Sequence, residues 1–245
     1  MRKLIYSAHT MIKQLFKEYS DSLANLFFPH LCIGCYERIA LKKTEFCVSC
    51  EHKIPKMEQH LSVKNKFTEK FSARIPIYTG AACYRFTAGG QTQKLIHQIK
   101  YHGKKEAATK IGEVFGEKLI QMSHYQDVDY IVPVPMYIMK ERLRGFNQAD
   151  LFANGLSQAM SIASAKTALQ KIKSTVSQTK KGRMARWQNV EEVFTIGDIP
   201  LENKHILLVD DVLTTGATLE ACAEKLLVFP NIKISMATIA FAGAY

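Results

Sequence analysis

From position 205 to 218 the chain reads HILLVDDVLTTGAT, and few folds accommodate that order of residues. Residues 206–209 are an apolar run of strand length, two carboxylates follow, and a Thr-Thr-Gly turn opens a helical stretch. A strand that passes at once into a helix belongs to an α/β sheet. It turns the helix's free N–H groups and the loop amides toward an anion. Gly216 lets the backbone come close to that anion, Ala217 starts the helix, and Thr214, Thr215 and Thr218 add hydroxyl donors. Asp210 and Asp211 repel phosphate but suit vicinal ribose hydroxyls, which donate hydrogen bonds to carboxylates. An anion pocket beside an acidic pair points to a 5-phosphoribosyl group at the carboxyl end of a parallel sheet. The same ILLVDD run could be the Walker B strand of an ATPase. That reading requires G-x-x-x-x-G-K-[ST] upstream, and the sequence has none.

The remainder of the carboxyl-terminal part supports a sheet alternating with helices. Strands are expected over residues 78–86, 130–135, 168–172, 205–212 and 232–241, and helices over 92–100, 106–122 and 217–228. Asn147 is placed to cap a helix running to about Met160, with Asp150 at the third position as in a capping box. Such alternation predicts a mostly parallel sheet with helices on both faces. Residues 3–27 carry apolar side chains at three- and four-residue spacing, which predicts one amphipathic helix. The Lys-rich polar run at residues 64–66 is the candidate linker. It divides the chain into an amino-terminal module, 1–70, and an α/β domain, 71–245.

The amino-terminal module has its own constraint. Cys32 and Cys35, eleven residues, then Cys47 and Cys50 form a C-x2-C…C-x2-C pattern. Two residues between cysteines let both sulfurs of a knuckle face one ion, and two knuckles complete a tetrahedral thiolate site closed to water. Structural zinc is the expectation, holding together a segment too small for a core of its own. His30, His52 and His60 lie nearby and are read as solvated, while Cys83 and Cys222 are read as core residues. No window approaches the ~20 apolar residues of a membrane span, and charges interrupt the first thirty residues, so no signal peptide is expected. A cytoplasmic location follows, where thiols stay reduced.

The formal net charge is +11. Four thiolates around one zinc would lower it to about +9. Its distribution says more than its sum. Residues 151–190 contain no Asp or Glu, yet include Lys166, Lys171, Lys173, Lys180, Lys181, Arg183 and Arg186. A solvated helix face would interleave signs. This tract reads as a surface for anions, either the backbone of a nucleic acid or the pyrophosphate of the phosphoribosyl ligand. Trp187, the one tryptophan, stands among these cations and could stack on a base.

The acidic-pair loop resembles the phosphoribosyl pyrophosphate (PRPP) loop of type I phosphoribosyltransferases, and further stretches narrow the resemblance to the ComF family. These are YIVPVP at 130–135 with RLRGFNQ at 142–148, the spacing of Thr175, Gln178, Arg183, Arg186, Asn189, Val190 and Phe194, and residues 95–103. With the cysteines included, the resemblance covers roughly residues 30–242, although Lys180, Lys181 and Trp187 depart from the family's pattern. It implies PRPP binding with Mg2+, with Arg142 and Arg144 helping to meet the pyrophosphate. It also implies handling of single-stranded DNA in natural transformation, with Lys180, Lys181, Arg183, Arg186 and Trp187 as contacts and competence proteins such as a helicase as partners. An active transferase with an unknown acceptor and a PRPP-sensing adaptor remain open alternatives. A transferase of this type needs a hood over its acceptor. Since the sequence stops just after the last expected strand, a hood would come from residues 1–80.

Overall fold

In the computed structural model, which describes residues 29, 31–39, 46–101, 103–172 and 193–243, the apolar run ahead of the acidic pair is the central strand of a sheet. The chain divides into two compact units, Met1–Lys53 and Ile54–Tyr245. In the first, the described residues form a turn closed by Cys32 N–H donating to the Glu37 carbonyl, 2.9 Å, and a short helix α1, Val48–Lys53. The helix expected over residues 3–27 lies outside the described residues.

The second unit is built on five strands: β1 (Thr79–Arg85), β2 (Tyr130–Pro133), β3 (Ala163–Ser164), β6 (His205–Leu213) and β7 (Lys233–Phe241). Their order is β1-β7-β6-β2-β3 and every neighbouring pair is parallel. Two more short strands, β4 (Leu169–Lys171) and β5 (Phe194–Ile196), form a separate antiparallel pair. The strand expected over 168–172 thus exists but stands outside the main sheet. The helices are α2 (Lys66–Glu69), α3 (Gln91–Tyr101), α4 (Lys105–Leu119), α5 (Ile138–Arg144), α6 (Gln148–Met160) and α7 (Ala217–Leu226).

Both faces of the sheet are covered, and β6 shows why its sequence is continuously apolar. Ile206 and Leu208 share one core with Leu219, Cys222, Ala223 and Leu226 of α7. Leu207 and Val209 alternate to the opposite face and are equally buried. On that side α6 lies against β2 and β6 and packs along α4. The two helices approach so closely that a Cβ on Gly155 would stand 1.9 Å from the Thr109 carbonyl oxygen. Cys83 and Cys222 are buried core residues, as their spacing suggests.

Residues 54–70 lie with the second unit. Asn65, within the polar run, accepts hydrogen bonds from the N–H groups of Phe67 and Thr68 and closes a capping box on α2. This helix drives Phe67 and, just beyond it, Phe71 into the core. His60 is buried rather than solvated, edge-on to Phe115 with ring centroids 5.9 Å apart. At the amino end of β6, His205 Nδ1 lies 2.8 Å from Asp127 Oδ1 and Nε2 lies 2.7 Å from Ser235 Oγ. Burial lowers the His205 pKa despite Asp127. That cluster anchors the end of the strand away from the acidic pair.

Candidate functional site

In the first unit the sulfurs of Cys32, Cys35, Cys47 and Cys50 all lie within 4.8 Å of one another. Cys35 and Cys47 sulfurs are 3.7 Å apart and every cysteine is a free thiol. A disulfide would hold its sulfurs at about 2.05 Å. Four thiolates at about 2.3 Å from one tetrahedral ion stand about 3.8 Å apart, so the cluster could hold a metal ion. The knuckle amides prepare it: Gly34 N–H and Cys47 N–H donate to Cys32 Sγ at 3.3 and 3.2 Å. Burial raises the Cys32 thiol, but the backbone donors, Cys47 foremost, outweigh it and bring it down to about 7. Burial instead pushes Cys35 up to about 11.

The second unit carries a cavity of about 240 Å³ where β2 stops and β6 continues. The chain leaves β2 toward β3 on one edge and leaves β6 toward β7 on the other, so this is the point where the strand order reverses. Open α/β sheets gather ligands in that crevice. Asp210 and Asp211 form its floor. They belong to β6 itself, since Asp210, Val212 and Leu213 remain paired with Thr238, Ala240 and Phe241 of β7. Residues 134–137 form a wall, braced by the buried Asn147, whose Nδ2 donates to the Val134 carbonyl at 3.0 Å. Asn147 Oδ1 also caps α6 through Ala149 N–H. Asp150 does not complete a reciprocal box there. Its Oδ1 accepts from the Asn147 side chain and its Oδ2 pairs with Lys166.

Cations surround the acidic floor. Lys100 Nζ pairs with Asp211 Oδ2, and Lys140, Arg144 and Lys171 line the same cavity. Burial, and then the charge on Asp211, raise the Asp210 carboxyl to about 7, against the pull of the Asp211 amide, Lys100 and Lys171. Burial lowers the Lys171 ammonium. Thr218 reaches the cavity from the first turn of α7. Gly216 caps that helix with φ +89° and no side-chain cap bond, which leaves its amino end to the backbone amides. Arg74 holds the loop in place through Glu220 at 2.5 Å and the Thr215 carbonyl at 3.5 Å.

Of the expected ligand residues, Asp210, Asp211, Thr218 and Arg144 line the cavity, while Thr214, Thr215, Gly216 and Ala217 form the adjoining turn and helix start. Arg142 lies on α5 but is not among the lining residues. Lys180, Lys181, Arg183, Arg186 and Trp187 lie outside the described residues. Two cations of the acid-free tract are described, and each already faces carboxylates. Lys166 pairs with Asp150 and lies 3.8 Å from Glu141, and Lys171 stands in the cavity near Asp210. The tract lacks acids in sequence, but the fold brings them from elsewhere. Lys100, Lys140 and Lys171 went unnoticed as cavity residues because they come from three separate elements. Lys100 lies in the 95–103 stretch of the resemblance and Lys171 in the acid-free tract, but neither signal connects them with the acidic pair.

Fold and site together define an α/β protein with a charged crevice at the switch point of a parallel sheet, preceded by a four-cysteine module. No protein-family model matches the chain. It is 31% identical over 139 residues to the DNA utilization protein YhgH of Escherichia coli K12, covering 54% of this chain and 60% of that one. Competence protein F of Haemophilus influenzae is 35% identical over 98 residues, 39% of this chain and 43% of that one. Competence protein ComFC of Bacillus subtilis is 29% identical over 143 residues, 58% and 56% of the two chains. These relatives, two of them named competence proteins, support the resemblance to the ComF family. The chain spans about 60% of the length of the YhgH relatives it matches. Among solved structures it is similar to adenine phosphoribosyltransferase of Saccharomyces cerevisiae, with 15% identity, TM-score 0.36, and 60% and 73% of the chains covered. A hypoxanthine phosphoribosyltransferase of Staphylococcus aureus gives 19%, 0.36, 55% and 62%. Likeness at that distance bears on neither ligand nor reaction. Among the described residues no helix is long and apolar enough to cross a membrane.

Proposed function

We propose that this protein is a PRPP-binding factor that handles single-stranded DNA during natural transformation. The observation that carries the ligand is the cavity at the switch point, where an acidic pair and a ring of cations face one volume. A 5-phosphoribosyl pyrophosphate has complementary parts. Its ribose hydroxyls would donate to Asp210 and Asp211, and its 5-phosphate would take the amides of the 214–218 turn with the Thr218 hydroxyl. Its pyrophosphate would lie toward Lys100, Lys140, Lys171 and Arg144. Mg2+ would arrive with the pyrophosphate. Among the described residues only the four cysteines group three or more side chains able to hold a metal. That cluster we assign to structural zinc, on its thiolate-only donor set.

The DNA role rests on the relatives named for competence and DNA utilization, and on the five cations of the tract that lie between residues 173 and 186. Sequence-independent contacts of Lys and Arg with phosphates supply affinity for any strand. Isothermal titration of PRPP–Mg2+ and of a short oligonucleotide, separately and then together, tests both parts. Saturable binding of each is expected, with oligonucleotide affinity falling steeply with salt. Absence of PRPP binding would remove the ligand assignment. Release of pyrophosphate on adding a base or amine acceptor would keep the ligand and make the protein an active transferase.

A further inference from the structure

The helix α5, Ile138–Arg144, is built inside out, and none of its residues is buried. At about 100° per residue, Lys140, Glu141 and Arg144 share one side of it and Ile138, Met139, Arg142 and Leu143 the other. The charged side faces the protein. Lys140 and Arg144 line the cavity, and Glu141 lies 3.8 Å from Lys166. The apolar side faces solvent, with Ile138, Met139 and Leu143 exposed by 51%, 59% and 90%. A surface helix of a globular domain has the opposite arrangement, its apolar stripe against the core. One exposed leucine is ordinary, but here the whole apolar side of a helix is left in water. Arg142 stands between Ile138 and Met139 on that side, which is why it is missing from the cavity lining. It is exposed, and no described residue pairs with its guanidinium.

We propose that this side of α5 docks an acidic amphipathic helix of a protein partner. The partner's apolar side chains cover Met139 and Leu143, and one of its carboxylates meets Arg142. Charge selects this occupant. A second copy of the chain would set Arg142 against its own twin across a two-fold axis, with no acid on this side of α5 to separate them. The acid-free tract at 151–190 has no carboxylate to offer either. An acidic partner supplies what both lack, and the net charge of +11 attracts it from a distance. The inference does not depend on the phosphoribosyl reading, because the docking side and the cavity side of the helix are separate.

The full chain is titrated, by fluorescence anisotropy, with two labelled helical peptides. Both carry leucines at three- and four-residue spacing; one has Glu beside them and the other Lys. The parent should bind the Glu peptide saturably and more tightly than the Lys peptide. Met139→Ser with Leu143→Ser keeps every charge of the chain. It should weaken the Glu peptide by about tenfold or more, the loss expected for two central contacts, with the unfolding midpoint unchanged. Arg142→Glu should weaken the Glu peptide and strengthen the Lys peptide, each by about fivefold or more. The proposal is overturned if the Glu peptide does not bind, if the double variant binds it as the parent does, or if Arg142→Glu moves neither affinity. A lower unfolding midpoint in the double variant also overturns it, since its own chain would then already cover those side chains. So does a parent that dimerises on sedimentation while the double variant stays monomeric, which makes the occupant a second copy. Vesicles of phosphatidylglycerol that take up the parent and not the variant would overturn it in favour of a lipid surface.

Discussion

Lys100 Nζ lies 2.6 Å from Asp211 Oδ2, so a cation from the helix that follows β1 neutralises one of the two carboxylates on the cavity floor. Among the described residues Asp210 has no such ion pair. Its Oδ1 accepts the Asp211 amide at 2.8 Å, and its charge is opposed by burial and by its neighbour. Two adjacent acids are thereby placed in different surroundings. Asp211 meets the Lys100 ammonium, whereas burial and the charge of its neighbour raise the Asp210 carboxyl to about 7. A ligand that donates hydroxyls to both is held more strongly when Asp210 is ionised, because a carboxylate is the stronger acceptor.

That difference predicts a pH dependence with a definite sign. The folded pKa of Asp210, about 7, lies above its ordinary 3.8, so between those values the native state holds a proton that the unfolded chain has lost. Stability therefore falls as pH rises through this window, and the cost persists above 7. Asp210→Asn should raise the Tm at pH 8, with the gain shrinking toward zero at pH 4. PRPP affinity of the parent should drop as pH falls below about 7, and the variant should lose it at every pH. A Tm difference independent of pH, measured by scanning calorimetry, would remove this account of the acidic floor.

Gly216 tests the turn separately from its charges. Its φ of +89° is strained for any L side chain, and a Cβ there would stand 2.9 Å from the Phe71 ring. Phe71 is fully buried and cannot retreat far. Gly216→Ala should cost about 1–2 kcal/mol of stability and displace the amides that start α7, so that PRPP affinity falls by more than the fold does. Unchanged affinity would mean that the turn does not touch the ligand.

Removal of metal should be visible in the thiols. Protein purified without added zinc should contain about one equivalent, falling sharply in Cys47→Ser. On chelation, Cys32, Cys35, Cys47 and Cys50 should become reactive to a thiol reagent, while Cys83 and Cys222 stay buried and silent. Disulfides between the four, or four reactive thiols before chelation, would count against a bound ion.

What could be read from the sequence was whatever is local. Asp210, Asp211 and Gly216 sit within one strand–turn–helix, and the four cysteines within nineteen residues, so their spacing alone brings them together. Hydrophobic spacing also located β1, β2, β4, β7, α3, α4, α6 and α7, whereas the short β3, β5, α1, α2 and α5 carry too few residues to show a period. Lys100, Lys171 and Tyr101 reach the cavity from α3, which packs on α4, and from the β4–β5 pair, which packs on α7, and no spacing rule connects them with Asp210. The same non-local pairing misled the reading of Lys166. Its acids, Glu141 and Asp150, come from outside the tract that contains it. His60 was misjudged for a related reason, since Phe115, which covers it, is 55 positions away.

Lys166 and Lys171 are thus engaged within their own unit, which leaves Lys173, Lys180, Lys181, Arg183 and Arg186 as the cations of the tract for a phosphate backbone. Like charges so close in sequence repel, and a polyanion would offset that repulsion. The competing use is closure over the pyrophosphate of PRPP. Salt separates the two. Removing one cation that neutralises a phosphate of a single strand should reduce the salt slope of binding by about 0.7. Lys180, Lys181, Arg183 and Arg186 changed together to Ser should therefore flatten the slope by up to about three units and leave PRPP affinity intact. Lys171→Met should do the reverse, weakening PRPP while preserving the oligonucleotide slope, because Lys171 stands in the cavity. If the quadruple variant loses PRPP and keeps its slope, the tract belongs to the ligand site. Strand contacts must then be sought among other cations.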